Sequence, residues 1–594
     1  MLTGPPPVSH GAQYTIGQKN VRLDTKEKPK RRRACGRARI AAMVAVVGLM
    51  GVQAPRAYAL DDTVFDEFRR LDQRQEQERR ERERAPNVPP QTPVRKPPPM
   101  EVPREHPCFT LQSIHLDGND AKQFPWAQPL VDPYVGWCIG RVGINLLVKR
   151  LQQEFLVRGW VTTRVVVPPQ DLAGATLTLK VVPGLIREIR FADAATRGSW
   201  ATAFPARPGE LLNLRDLEQG LEQLKRVPSQ DVNMEIVPGQ RPGESDIVIQ
   251  RQLATPWRVF VTMDDSGSDA TGKYQGSTAL AMDGIFGIND LFSATYNRGL
   301  SGYSAHSGTR AGSLYYSWPY GYWTFSLGGN ENSYQQTIQG TNQNFILSGE
   351  TRQYDARVHR IVHRSQSAKT GVQVRVIKRR LRNYIQDAEL RPSSRAVSLL
   401  EPGINHHRYI GKSEFDVQLA RPMAVSWFGA TPDPVDAGPD TPTNRYRLWT
   451  LDAHLSVPFT LAGREVRYSA LLHAQTSSDP LYGTELIGIG NRYTVRGFDG
   501  EHTLAAERGG YLRNEMAVPM AGSRQQLYLG VDHGEVSGAS ADLLPGRRLT
   551  GAVLGLRGAW RGFTYDAYTG RPLSKPAGFA TDNSTWGFML TYQF

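Results

Sequence analysis

The sequence predicts an all-β transmembrane barrel of about sixteen antiparallel strands, preceded by two small α/β domains and an N-terminal helix. Three observations predict it. From residue 254 to the C-terminus, short stretches of alternating apolar and polar residues are separated by Gly, Asn, Asp and Ser. The chain closes on such a stretch, in which Trp586, Phe588, Leu590, Tyr592 and Phe594 alternate with Gly587, Met589, Thr591 and Gln593. Between residues 108 and 253, strand and helix periodicities follow one another twice in the same order. After residue 52 no apolar run approaches the roughly 18 residues of a spanning helix, which a barrel does not need because its lipid face occupies alternate positions.

Residues 1–59 read as an address. A basic stretch from Lys28 to Arg39 precedes the apolar Ile40–Val52, and Ala57-Tyr58-Ala59 has the form of a signal-peptidase site. The segment before residue 28 fits either an extended signal region or a start codon placed too far upstream. The mature chain is expected to begin at Leu60 in an oxidising periplasm. The formal net charge is +14, but the first 59 residues hold 11 Lys/Arg against 2 Asp/Glu, leaving +5 for the remainder. That balance is a targeting feature and argues against a nucleic-acid binder.

Residues 60–85 predict a helix capped by Thr63, with Val64, Phe68 and Leu71 as a brief apolar stripe. From Asp72 to Arg84 the helix is almost wholly charged, and Glu76/Arg80 and Glu78/Arg82 stand at i,i+4. A helix polar all round belongs in water or in a water-filled passage. Residues 86–107 are proline-rich and predict an extended linker.

Residues 108–183 form the first α/β module. Cys108–Leu116 alternates as a strand, Ile144, Leu147, Val148, Leu151 and Phe155 recur at helical spacing, and Arg164–Val167 and Ala175–Val182 complete a sheet. Residues 184–253 repeat the plan. Ile186–Phe191 is a strand, Leu214, Leu217, Leu221 and Leu224 line a helix, and Val232–Val237 and Ser245–Gln250 close the sheet. Cys108 and Cys138 are the even pair left once Cys35 departs with the signal, so a disulfide is expected. Closing that loop contributes roughly 3–4 kcal/mol on the chain-entropy model.

The remaining residues, 254–594, hold the barrel. At about 21 residues per strand and connection, about 340 residues give about sixteen strands. Two flanking strands bracket an exceptional loop. Before it, Val466, Tyr468, Ala470, Leu472 and Ala474 alternate with Arg467, Ser469 and His473; after it, Leu512, Met516 and Val518 alternate with Arg513, Glu515 and Ala517. Between them Gly490, Gly497 and Gly500 break the pattern and Arg492, Arg496 and Asp499 charge it. Downstream, Leu527, Leu529 and Val531 share one strand face, with Tyr528, Gly530 and Asp532 on the other. A hairpin near the end agrees, with Ala552, Leu554, Leu556 and Trp560 facing one way and Arg557 and Arg561 the other. If the apolar face meets lipid, Arg467, Arg513, Glu515, Asp532 and Arg557 line the lumen.

These residues carry a family resemblance. Val495-Arg496-Gly497-Phe498 resembles the VRGY/F motif of the outer-membrane assembly-factor superfamily, whose sixth extracellular loop folds into its own barrel. Leu527–Val536 resembles the second motif, Phe-x-Asp-x-Gly, with Asp532 and Gly534 in place and Gly530 where the aromatic residue is usual. Asp264–Gln275 is similar to the first strand and turn of that family, with Asp265 where Asn is usual. The two α/β modules resemble polypeptide-transport-associated (POTRA) domains, and the charged helix resembles the plug helix of two-partner secretion (TpsB) transporters of the filamentous-haemagglutinin transporter type. The resemblance implies an inward loop at about residues 484–507, latched by Arg496 to a lumen site of Asp532, Gly534 and Glu515. Such a pair in a partly wet lumen contributes roughly 1–3 kcal/mol; the plainer reading is a solvated loop arginine. It also implies an assembly signal in Phe588, Tyr592 and Phe594, read by a barrel-assembly machinery.

The function implied is export of a large secreted partner protein through an outer-membrane pore. POTRA edges accept the unfolded client by strand addition, no nucleotide is hydrolysed, and no cofactor or metal is required. The transporter is expected to work as a monomer. The alternatives are a barrel-assembly factor and a plain porin. Enzyme signals are weak. Gly267–Lys273 matches most of a phosphate loop but runs into Tyr274 and an alternating strand, not a helix. His359 and His363 share a face on a strand, but a third metal ligand is not evident.

Overall fold

The computed structural model describes residues 58–83, 101, 103–117, 122–193, 198–304, 306–340, 342–520 and 522–594. The expected signal region before residue 58, the last two residues of the expected helix and residues 86–100 of the expected linker lie outside the described residues.

The C-terminal part is a closed antiparallel barrel. Its sixteen crossing strands begin at Trp257–Asp264 and end at Thr585–Gln593; two short segments, Ala388–Glu389 and Met423–Val425, only extend neighbouring pairings. Closure runs from Met589 opposite Asp264 to Gln593 opposite Phe260. Alternation sets the two faces. Leu527, Leu529 and Val531 are 48%, 56% and 44% exposed, whereas Tyr528 and Asp532 on the same strand are 3% and 1% exposed. Cross-strand pairing carries the same parity outward, since Leu512 faces Leu472 and Met516 faces Tyr468. Among the described residues no helix is long and apolar enough to cross a membrane, so crossing falls to the strands.

The first α/β domain has a three-stranded sheet in the order Ser113–Asp117, Thr176–Val182, Arg164–Val166. Helix α1, Arg141–Val157, packs Ile144, Leu147, Leu151 and Phe155 on it. The single strand expected over Cys108–Leu116 is instead two. Phe109-Thr110 pairs with Cys138-Ile139, and at Leu111 the chain turns to pair with the strand that starts at Thr176. The turn buries Leu111 completely in the core. Cys108 and Cys138 are disulfide-bonded, with Cα atoms 5.3 Å apart. Glu105 accepts from the amides of Gly140, Val142 and Gly143 at the start of α1, each at 2.8 Å. Burial pushes its carboxyl up, but these donors outweigh it and hold it below the usual range.

The second domain repeats the plan with strands Leu185–Phe191, Glu244–Leu253 and Gln230–Pro238 and helix α2, Leu214–Lys225. Leu217, Leu221 and Leu224 face the sheet. The opposite, polar side of α2 meets the tight turns at one end of the barrel. Glu222 accepts from Arg364 at 2.7 and 2.9 Å and from Lys369 at 3.0 Å, and Gln223 donates to the Gly321 carbonyl at 3.2 Å. This end of the barrel is therefore the one that faces the two domains.

The N-terminal helix spans Tyr58–Glu83. Thr63 is interior to it and does not cap it. Ala59 and Leu60 are good helix formers and no Gly or Pro separates them from Thr63, so the helix extends back past the expected start.

Candidate functional site in the barrel lumen

The N-terminal helix, about 39 Å long at 1.5 Å per residue, runs inside the barrel. Arg74 donates to Asp264 at 3.1 Å, Ser266 at 2.8 Å and Asn297 at 3.2 Å. Arg80 reaches Asp452 at 2.6 Å, and Asp452 in turn holds His473 at 2.7 Å on the next strand. Glu83 pairs with Arg357. Glu76 pairs with Arg80 at 2.9 Å as its spacing predicts, but Glu78 takes Arg74, and Arg82 donates to the Glu78 carbonyl and lies over the Tyr315 ring. The lumen wall offers Arg74 and Arg80 partners in addition to those they keep on the helix. Apolar contact is confined to the end away from the two domains, where Phe65 and Leu71 pack by Tyr334 and Leu347.

The loop between strands Arg464–Thr476 and Arg508–Pro519 folds into the same lumen. Ile487–Ile489 and Leu504–Ala506 pair as a small hairpin. Its tip is Val495-Arg496-Gly497-Phe498, with Val495 fully buried and Arg496 only 5% exposed. The Arg496 guanidinium donates to both oxygens of Asp532, at 2.7 and 3.0 Å, and its Nη1 donates to Glu515 at 2.8 Å. The backbone amide of Arg496 donates to Asp532 as well, at 3.1 Å. Glu515 is shared with Arg557 at 2.7 Å. Fork-to-carboxylate geometry of this kind fixes direction as well as distance.

The wall beneath the loop is stripped of side chains. A Cβ on Gly530 would lie 2.6 Å from Arg496 Nη2, one on Gly534 2.8 Å from Val495 Cγ2, and one on Gly551 2.0 Å from the Arg496 carbonyl oxygen. Gly497, at φ +98°, has its Cα only 2.8 Å from where a Cβ on Gly570 would sit. Gly530 stands where an aromatic residue is usual in the motif, and its bare Cα admits the guanidinium. Phe498 packs edge-on to Phe579, with centroids 5.9 Å apart.

Further contacts were not legible in advance. Arg492 pairs with Asp265 at 2.7 Å, and Asp265 also accepts the Phe588 amide at 2.8 Å, so the loop is tied to the seam between first and last strands. Glu485 reaches Arg395 at 2.9 Å and Arg379 at 3.5 Å across the lumen. Alternation does place Arg379 inward, but nothing local names its partner. On its other side the loop meets the helix: Asn491 donates to Gln73 at 2.7 Å, and Arg69 donates to the Gly483 carbonyl at 2.9 Å. Helix, loop and wall form one polar assembly.

At the C-terminal strand, Tyr592 packs against Phe594 and Phe563. Gly267–Lys273 forms the turn between the first two barrel strands, with no helix behind it. His359 and His363 do not share a face. A register shift between Ile361 and His363 turns the latter away, leaving His359 inward on Asn405 at 2.9 Å. No group of His, Cys, Asp or Glu among the described residues could hold a metal.

Comparison with known proteins matches residues 243–558 to the model of the haemolysin secretion/activation protein ShlB/FhaC/HecB family. The chain belongs to that family. Residues 109–184 match the ShlB-type POTRA domain and 185–238 a further POTRA model. The outer membrane transporter CdiB-2 of Burkholderia pseudomallei is 41% identical over 512 residues, covering 83% of this chain and 88% of the relative. The hemolysin transporter protein HpmB of Proteus mirabilis is 31% identical, covering 73% and 76%. The solved structure of CdiB from Escherichia coli superposes with a TM-score of 0.81 at 27% identity, covering 92% of this chain and all of that one. This member of the ShlB/FhaC/HecB family is accordingly an outer-membrane two-partner secretion transporter. Its POTRA domains lie in the periplasm. The barrel end that α2 meets is the periplasmic end, and the loop carrying Arg496 returns from the extracellular end.

Proposed function

We propose that this transporter captures a large secreted partner protein, still unfolded, on its two POTRA domains and passes it through the lumen after the N-terminal helix has left. The observation that carries this reading is the character of the helix–lumen contact. Most of it consists of ion pairs and hydrogen bonds on Arg74, Arg80 and Glu83, which water can replace at low net cost. A dry, interlocked core would hold a permanent plug; a wet one suits a removable plug. The outer strands of each POTRA sheet supply edges to which an extended client can add. The naming of a relative as a hemolysin transporter supports a large secreted protein as the cargo class. Folding of that cargo outside the cell biases the direction without nucleotide hydrolysis. Insertion of the barrel itself relies on the terminal strand with Phe588, Tyr592 and Phe594, read by an assembly machinery.

Arg496 and Asp532 latch the loop so that the path stays defined while the helix moves. Truncating Asp532 leaves the buried Arg496 guanidinium with Glu515 alone, and truncating Arg496 leaves the buried Asp532 carboxylate with Arg513 no nearer than 4.0 Å, a loss of up to about 3–5 kcal/mol by comparison with buried pairs broken on one side. Co-expression with a candidate partner, followed by measurement of secreted protein, tests this. Arg496→Ala and Asp532→Ala should leave the barrel in the outer membrane and abolish export. Undiminished export by both variants rules the latch out.

A further inference from the structure

The outward face of the barrel carries a cationic cluster that neither the helix nor the loop uses. It lies on strands Trp323–Gln339, Asn344–Arg364 and Ala368–Ile385. Near the periplasmic end this face is apolar, with Leu327, Val358, Val372 and Val374 exposed, and it rises to Tyr354 at 61% exposure. Directly beyond Tyr354, on the extracellular side, the same face becomes charged. Cross-strand register puts Lys378 opposite Tyr354, Arg380 opposite Arg352, and Arg382 opposite Glu350. Glu331 is paired across the other edge with Arg352, and Arg310 stands one strand further on, opposite Ser333.

Two arginines directly opposite on one sheet face repel each other. Arg352 is relieved by Glu331 at 3.3 Å and by Glu350 at 2.5 Å. Among the described residues Arg380 and Arg382 form no ion pair. Of the five cations Arg310, Arg352, Lys378, Arg380 and Arg382, Arg352 is paired with Glu331 and Glu350 and Lys378 donates to the Phe428 carbonyl, while Glu389 stands one pairing beyond Arg382, opposite Tyr384. Glu350, Arg352, Tyr354, Lys378, Arg380 and Arg382 line a cleft of about 260 Å³. An aromatic residue marks the height where hydrocarbon meets headgroup, and two residues further along a strand is about 7 Å. The cations therefore lie at headgroup depth in the outer leaflet, over an apolar wall suited to acyl chains.

We propose that this cleft binds the phosphate groups of the phosphorylated glycolipid of the outer leaflet, with Arg380 and Arg382 as the principal contacts. Guanidinium forks match phosphate oxygens in pairs, and a basic cluster at a membrane surface gains affinity with each cation.

The test uses the full chain purified in mild detergent and scored by native mass spectrometry for retained and re-added lipid. Wild type should retain the phosphorylated glycolipid, and Arg380→Ala/Arg382→Ala should retain it at least about tenfold less well. Arg380→Lys/Arg382→Lys, which keeps the charge, should recover most of the binding. The dephosphorylated glycolipid should bind wild type no better than the intact lipid binds the alanine variant. Heat-modifiable gel migration checks that each variant is a folded barrel. Equal retention by wild type and alanine variant, or equal binding of the dephosphorylated lipid, overturns the proposal. Full displacement of the lipid by millimolar inorganic phosphate overturns it too, since the cleft would then be a free-anion site.

Discussion

At the scale of single residues, the lumen site depends as much on missing side chains as on charged ones. Arg496 and Asp532 could be found in the sequence because a motif and strand alternation both pointed at them. Gly551 and Gly570 could not, because a glycine on a strand is silent until the segment that lies against it is known. The Gly551 position leaves 2.0 Å between a new Cβ and the Arg496 carbonyl, and that neighbour is backbone. Gly551→Ala should therefore displace the loop tip, at a cost of about 1–3 kcal/mol for an overpacked contact. The expected outcome is an inserted barrel with export well below wild type. Gly312→Ala is the control: a Cβ there meets nothing within 4 Å, and export should be unchanged.

At the scale of elements, the N-terminal helix is attached unevenly. Its periplasmic half is held by exchangeable ion pairs, and its extracellular half by hydrogen bonds on Asp66, Glu67 and Arg69 together with Phe65 and Leu71 beside Tyr334 and Leu347. Deleting residues 60–85 should raise single-channel conductance in planar bilayers. Phe65→Ala/Leu71→Ala should give an intermediate result, a channel that flickers open, because the apolar anchor is lost while the ion pairs remain. Conductance equal to wild type in the deletion variant would show that the helix does not limit the pore. The sequence announced a polar helix through its run of Glu and Arg, but gave no hint that Arg74 would bridge Glu78 on the helix to Asp264 on the wall. That choice depends on which wall residues stand at the same height, and only barrel closure sets the heights.

At the scale of the whole molecule, export needs the POTRA domains aimed at the pore mouth. The joint is ionic: Glu222 of α2 lies between Arg364 and Lys369, both little exposed. Glu222→Ala would remove the carboxylate between Arg364 and Lys369 and leave Arg364 with Glu218 at 3.5 Å, a loss of up to about 3–5 kcal/mol by comparison with a buried pair broken on one side. The second POTRA domain should then swing on the connector at 254–256. Limited proteolysis there should be faster than in wild type, and export should fall while barrel insertion is unchanged. Unaltered cleavage would mean that the domain is held by Arg226 and Gln223 without help from Glu222.

By itself the sequence determined the order of the parts and the two faces of each strand, because a period of two residues is written locally in the chain. It also carried the loop motif, the cysteine pair and the charged helix, each of which is a matter of residue type and spacing. The tertiary structure alone decided the pairings: Arg492 with Asp265, Glu485 with Arg379 and Arg395, Glu222 with Arg364, and the glycine wall under Arg496. It also overruled local spacing at His363, where one shift of register turned the side chain to the other face. Periodicity fixes which way a residue points, whereas a partner hundreds of residues away is fixed only when the barrel closes and sets every strand's height against its neighbours.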